Sequence, residues 1–443
     1  MSASLDGAAP DAPWRRAYEA LAAAVPDFAA GAKPMLTGFA ACVDKRVDLH
    51  ALATALSREP GGAALFEGIM RRAKAGRGGE MLVDWPDGPQ FLDPFAEPGP
   101  GTIGGTSAQA AWTLARLGAP VIMALSDRSA RQLATLHPAV KLIDAAGELI
   151  AAGDAKPAGA GKPAHYIVEY SAGRQLPGFT PDRSTRIIVR FADEDLEDDA
   201  TFERHGRALA GSAGVALLSS PNGVGADRLP HALDMMASFA SAWKGAGILV
   251  HLELGEYPVP GALEATLDRM DGAVTSIGLN FNELASIGVD PVDLEAQLAD
   301  FADRHGLSRL AVHADPWALA LTRGDPEREL DALAMGCLLA SARAEAGEPI
   351  ATPRAPAAAA FSKPPRPPIS RRADSPWRIA CCAAPYLRGP ASTLGLGDTF
   401  TAGTMLVHAR ARREAVLANL PDLFAESGGA PPSGRPIDVE MPR

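Results

Sequence analysis

Ser392-Thr393-Leu394-Gly395-Leu396-Gly397-Asp398-Thr399 sets two glycines just before an aspartate, and the apolar segment 400–407 that follows can form a helix. Glycine lets a backbone turn tightly enough for several N–H groups to converge on one point. The start of a helix adds the positive end of its dipole. The stretch therefore reads as an anion cradle made by Gly395, Leu396 and Gly397, with Asp398 on its lip. A phosphate cradle beside a carboxylate that can take a hydroxyl proton is the basic equipment of a small-molecule kinase. Glycines before an aspartate also mark ordinary helix caps, so the surroundings matter. A candidate strand, 379–384, precedes the motif, and Ala402-Gly403 supplies small residues that let the helix approach another backbone closely.

Outward from this point, short apolar runs alternate with amphipathic stretches. Candidate strands lie at 34–42, 120–125, 214–219, 247–252, 272–277, 308–313 and 379–384, and candidate helices at 107–117, 230–243, 291–305, 328–346 and 398–409. Strands alternating with helices predict an α/β fold with a mostly parallel central sheet flanked by helices. Such sheets bind ligands beyond the carboxyl ends of their strands. Two regions break the rhythm: 45–100, and 158–199, where 165–170 and 185–191 read as strands. Together they predict a small α/β lobe inserted into a large domain of 1–44, 101–157 and 200–426. The Ala/Pro/Arg-rich segment 352–375 reads as an exposed loop. The Gly/Pro-rich tail 427–443 reads as disordered.

Other polar groups fall where candidate strands end. Glu253 closes the run His251-Leu252-Glu253, and Asn280-Phe281-Asn282-Glu283 follows the next strand. Hard carboxylate ligands, partly through water, suit Mg²⁺. Glu253 also reads as a surface residue at a loop start, and Asn280 with Glu283 as a plain capping box. Asp44 closes the first candidate strand, where it can accept hydrogen bonds from sugar hydroxyls or cap a helix. Gly104-Gly105 precedes a helix and lets a ligand pack on the backbone, or forms a simple turn. Gly76-Arg77-Gly78-Gly79-Glu80 lies in the small lobe, with Glu80 placed to reach a substrate beneath a closing lid, or is only a loop. His313 follows another strand and reads as a nucleotide contact or a structural histidine.

Composition excludes several classes. The 443-residue chain carries a net charge of −11, which argues against non-specific nucleic-acid binding. No apolar run approaches the roughly 18 residues of a membrane span, and no signal peptide is apparent. Its cysteines, Cys42, Cys337, Cys381 and Cys382, form no C-x-x-C pair and read as free thiols of a reducing cytoplasm.

The motifs come in a recognisable order: H-x-E at 251–253, N-x-x-E at 280–283 and G-x-G-D at 395–398, with the 76–80 segment upstream. In this the chain resembles the ADP-dependent glucokinase and phosphofructokinase family, a branch of the ribokinase-like superfamily. The resemblance spans about 35–425. It implies a ribokinase-like large domain with a lid that closes over a sugar, Asp398 as catalytic base, and Gly395 to Gly397 as the anion hole. It also implies Mg²⁺ organised by Glu253, Glu283 and Asp398, and sugar held by Asp44, Glu80, Gly104 and Gly105. Asn280, His313 and Leu396 would meet the nucleotide. The implied partners are ADP and a small sugar, glucose or fructose 6-phosphate, in a cytoplasmic monomer or small homo-oligomer with no nucleic-acid or membrane partner. The chain departs from the family in the run Phe39-Ala40-Ala41-Cys42-Val43-Asp44, where family members usually carry asparagines. Two other readings stay open: an ATP-dependent ribokinase-like sugar or nucleoside kinase, and a catalytically silent protein that binds a sugar or nucleotide.

Overall fold

Apolar side chains leave each central strand in both directions, so one sheet separates two cores. Met35 enters one core and Leu36 the other; Val215 and Leu217 enter the first, Ala216 and Leu218 the second. Near-continuous hydrophobic strands of this kind are stable only with both faces covered. The structure, a computed structural model, describes residues 11–191, 196–219, 221–372, 375–411 and 415–424. The tail expected to be disordered, 427–443, lies outside the described residues.

The main sheet has eleven strands. Its spatial order is Ile369–Arg371, Arg378–Ala383, Trp317–Thr322, Arg309–His313, Ser276–Asn280, Leu249–Glu253, Val215–Ser219, Met35–Gly38, Val121–Met123, Lys141–Ile143 and Leu149–Ala151. From Arg309–His313 to Lys141–Ile143 every neighbouring pair is parallel. The Trp317–Thr322 strand, which sequence reading passed over, returns antiparallel and carries the sheet across to Arg378–Ala383. Helices Asp11–Gly31, Thr106–Arg116, Pro326–Ala346 and Leu396–His408 cover the first core, and Leu229–Gly245, Ala262–Met270 and Leu294–Arg304 cover the second. No helix among the described residues is long and apolar enough to cross a membrane.

A second sheet of five strands runs Gly79–Leu82, Thr185–Arg190, His165–Tyr170, Cys42–Asp48, Thr102–Gly104. Its separate core takes Leu52 and Leu56 from the helix Leu49–Leu56 and Leu65 and Ile69 from Ala63–Lys74, packed on Val168, Ile187 and Val189. The strands Cys42–Asp48 and Thr102–Gly104 straddle or pass the boundaries expected at 44 and 101.

Three expectations are corrected. The single strand expected at 34–42 is two: Met35–Gly38 ends in the main sheet and Cys42–Asp48 begins in the smaller one. Asp44 therefore sits inside a strand of the smaller sheet and does not close one of the large sheet. Residues 352–375 are not simply an exposed loop: Ala359 and Phe361 are buried, the Phe361 ring stacks on Tyr18 with centroids 5.7 Å apart, and Ile369–Arg371 forms the sheet's edge. The helix Asp11–Gly31 was not foreseen. It buries Trp14, Tyr18, Leu21, Val25 and Phe28 against the first core despite Pro26 within it, and the Tyr18 hydroxyl donates to the Ala383 carbonyl at 2.6 Å.

A buried ion-pair network ties strands to helices behind the site. Arg309 Nε donates to Glu329 Oε1 at 2.8 Å, Arg309 Nη1 to Ser276 Oγ at 3.1 Å, and His408 Nε2 lies 3.3 Å from Glu329 Oε2. Burial pushes the Glu329 carboxyl up, but Arg309 and His408 outweigh it and hold it at about 2. A carboxyl depressed on folding contributes stability above its unfolded value, and loses it as pH falls toward the folded one. Glu329→Gln is expected to lower unfolding free energy by about 3 kcal/mol at pH 7. The deficit should shrink as pH falls from about 4.5 toward 2; denaturant titrations at pH 7 and pH 3 check both statements, and an equal deficit at both would refute the pairing.

Candidate active site

Between the two sheets lies a cavity of about 1060 Å³, and most of the residues singled out from sequence line it: Asp44, Glu80, Gly105, Glu253, Asn280, Glu283, His313, Gly397 and Asp398. Three do not belong to its wall: Gly104, Gly395 and Leu396. Gly104 lies beneath it, pressed on Cys42 and Asp44, where an added Cβ would strike both side chains. Leu396 is half-buried at the start of its helix, and Gly397 rather than Leu396 faces the space.

The glycine motif folds as a helix start. Gly395 has φ 67° and caps Leu396–His408 without a side-chain bond. A side chain there would be strained, and a Cβ would come within 2.5 Å of the Arg343 guanidinium. Arg343, buried on Pro326–Ala346, donates through Nη1 to the Gly395 carbonyl at 3.1 Å, to Thr399 Oγ1 at 2.9 Å and to Gln109 Oε1 at 2.9 Å. The helix can approach because Gly403 meets Gly336: a Cβ at Gly403 would lie 2.7 Å from the Gly336 backbone. Asp398 occupies the first turn. Burial raises its carboxyl above the usual range, opposed by a hydrogen bond from Thr106 and by the charges of Arg343 and Arg186.

The two acidic motifs share a wall. The strands Leu249–Glu253 and Ser276–Asn280 pair in parallel, with Glu253 beside Gly278. Glu253 is buried, with Oε2 2.9 Å from His251 Nε2 and Oε1 3.4 Å from His313 Nε2. Burial opposes its charge, but the two histidines hold it at about 2. Glu253 and the neighbouring acids in turn lift His313, against the effect of burial. The capping box is present: Glu283 Oε2 accepts from the Asn280 N–H at 2.8 Å, and Asn280 Oδ1 from the Asn282 N–H at 2.9 Å. The bland reading of that motif is thus correct, yet Glu283 also lines the cavity. Burial, with the charge of Glu253, raises Glu283 to about 7.

The opposite wall comes from the smaller sheet. Glu80 Oε2 is 3.3 Å from Arg190 Nε, and Oε1 accepts from Asn222 Nδ2 at 3.2 Å. Arg186 Nη1 crosses to the Thr393 carbonyl at 2.9 Å, beside the glycine motif, while its buried Nε has no hydrogen-bond partner among the described residues.

The description ADP-specific phosphofructokinase/glucokinase conserved region matches residues 33–293, more than half of the chain. The chain belongs to that family. An ADP-dependent glucose/glucosamine kinase of Pyrococcus furiosus is 27% identical over 202 residues, 41% of this chain and 44% of that protein. The match thus spans under half the length of that relative. The fold also matches solved structures. A phosphofructokinase from Pyrococcus horikoshii OT3 with AMP is 17% identical, with TM-score 0.64, covering 85% of this chain and 98% of that one. An ADP-dependent kinase in complex with fructose 6-phosphate and ADPβS is 16% identical, with TM-score 0.71, covering 90% and 98%.

For a member of the ADP-specific phosphofructokinase/glucokinase family, sequence reading missed Arg186, Arg190, Arg343 and Thr106. A signal existed for the first two. In Thr185–Arg190, residues 187 and 189 are core while 186, 188 and 190 line the cavity, the alternation a half-buried strand imposes. Arg343 stood out only as an arginine amid alanines.

Proposed function

We propose that this chain is an ADP-dependent sugar kinase, transferring a phosphoryl group from ADP to a hexose hydroxyl and releasing AMP and sugar phosphate. The observation that carries this reading is the placement of Asp398. It stands in the first turn of a glycine-capped helix, in the same cavity as Glu253 and Glu283 on one side and Asp44 and Glu80 on the other. The smaller sheet with its helices acts as the lid, and closure excludes water from the transfer.

Asp44 and Glu80 accept hydrogen bonds from sugar hydroxyls and orient the attacking oxygen. Asp398 takes its proton as that oxygen meets the terminal phosphorus of ADP; a carboxyl held above the usual range is a stronger base than an ordinary aspartate. The N–H groups following Gly395 cradle the transferring group, and Arg186 supplies positive charge from the lid. Asn280 and His313 border the nucleotide side. The residues fit a divalent cation: Glu283, raised by burial and by Glu253, marks a place short of positive charge. Glu253 and Glu283 would hold Mg²⁺ mainly through water, and Mg²⁺ would neutralise charge on the phosphates.

An unphosphorylated hexose suits the Glu80 carboxylate in the wall, and the Pyrococcus furiosus relative is named for glucose and glucosamine. Fructose 6-phosphate is the second reading, favoured by Arg72, Arg77 and Arg190 around the same space. AMP release assayed with ADP, ATP and GTP against glucose, glucosamine, fructose 6-phosphate and nucleosides tests both levels. The expected result is turnover with ADP and a hexose alone. Preference for ATP would make this an ATP-dependent ribokinase-like enzyme, and tight ligand binding without product would make it a silent binding protein.

A further inference from the structure

The sugar end of the cavity carries a three-residue cluster of which the phosphoryl-transfer reading uses only Asp44. Cys42, Asp44 and His165 are all buried, with 3%, 4% and 9% exposure, and all line the cavity. Backbone geometry gathers them. Cys42 and Asp44 are two apart on one strand and so share a face. His165, on the adjacent parallel strand, is the register partner of Asp44. Glycine on the third strand, Gly104 opposite Cys42, leaves room for the two side chains.

The ligand atoms sit 3.4 Å apart for Cys42 Sγ and His165 Nδ1, 3.5 Å for Cys42 Sγ and Asp44 Oδ1, and 3.8 Å for His165 Nδ1 and Asp44 Oδ1. Zinc bonds of about 2.3 Å to sulfur and about 2.0–2.2 Å to nitrogen or oxygen give tetrahedral edges of about 3.3–3.6 Å. Two edges already match, and the third needs a shift of a few tenths of an ångström. Thiolate, imidazole and one carboxylate form a donor set for a borderline-soft cation, unlike the hard oxygen pair of Glu253 and Glu283.

We infer that Cys42, Asp44 and His165 form a site for a thiophilic divalent cation such as Zn²⁺, with its fourth position open to the cavity. Binding displaces the Cys42 thiol proton to solvent and uses the His165 tautomer with Nδ1 unprotonated. The metal then occupies the carboxylate offered to the sugar, so Zn²⁺ and sugar compete. That competition rests on the sugar-kinase reading; the metal site does not.

Co²⁺ titration of the full chain, without sugar or nucleotide, is the test, because cobalt–thiolate coordination gives a near-ultraviolet charge-transfer band that carboxylate sites cannot. The expected result is one equivalent bound with that band, displaced by Zn²⁺, absent in Cys42→Ser and weakened at least about tenfold in His165→Gln. No band, or a band unchanged in Cys42→Ser, overturns the site; the latter places the metal on the other buried cysteines. Should one variant fail to fold, the other carries the test. A band that glucose or fructose 6-phosphate does not suppress would confirm the metal site and count against Asp44 as a sugar ligand.

Discussion

Asp398→Asn is expected to lower kcat by about 10²–10⁴-fold while nucleotide affinity stays nearly unchanged. The substitution keeps the volume, and its amide oxygen can still accept from Thr106. It does not disturb the helix cap, which Gly395 provides through its backbone. What it removes is the basic carboxylate. Because burial raises Asp398 above the usual carboxylate range, its ionised form is destabilised where it stands. The neutral amide should therefore leave the melting temperature level or slightly raised. Single-turnover kinetics with ADP and sugar, beside a binding titration for ADP, separate the two effects. Turnover near the wild-type rate would remove Asp398 from the role of base and with it the central argument for a kinase.

Arg186→Ala is expected to cost about 10²–10³-fold in kcat. The side chain spans from Thr185–Arg190 of the smaller sheet to the Thr393 carbonyl, so it brings charge to the glycine motif only when the two sheets face each other. Its buried Nε is a donor without an acceptor among the described residues, the kind of group that leaves a site incomplete until an anion arrives. Arg186→Lys should recover only part of the rate, because an ammonium cannot reach the carbonyl and a phosphate oxygen with the fixed fork of a guanidinium. If sugar KM rises while kcat holds, Arg186 positions the acceptor and does not stabilise the transferred group.

The sheet and the glycine motif were legible because each rests on local chemistry. Val215–Ser219 and Leu249–Glu253 are short runs of strand length, mostly apolar and separated by helical stretches, and Gly395-Leu396-Gly397-Asp398 can start a helix with little help from elsewhere. The pairing of Glu253 and Glu283 was likewise readable, since parallel neighbours bring their carboxyl ends together. What escaped was set by distant partners. Whether Asp44 ends a large-sheet strand or lies in the smaller sheet depends on where the chain crosses between sheets, at 39–41, and no periodicity marks that crossing. Arg343 matters because Gly395 and Thr399, 52 and 56 positions further along the sequence, become its neighbours through the Gly336–Gly403 approach. His165 joins Cys42 and Asp44 through strand register, which is decided by the whole small sheet.

The family match begins at residue 33, yet the polypeptide that folds begins earlier. Helix Asp11–Gly31 lays Trp14, Tyr18, Leu21, Val25 and Phe28 over the layer that carries Pro326–Ala346 and Leu396–His408. Removing the residues before 33 would uncover an apolar surface behind the helix that carries Asp398, inviting aggregation and loosening the backbone that Asp398 rides on. A segment ahead of the matched region thus buttresses the helix layer that carries Asp398, and heterologous production should keep it.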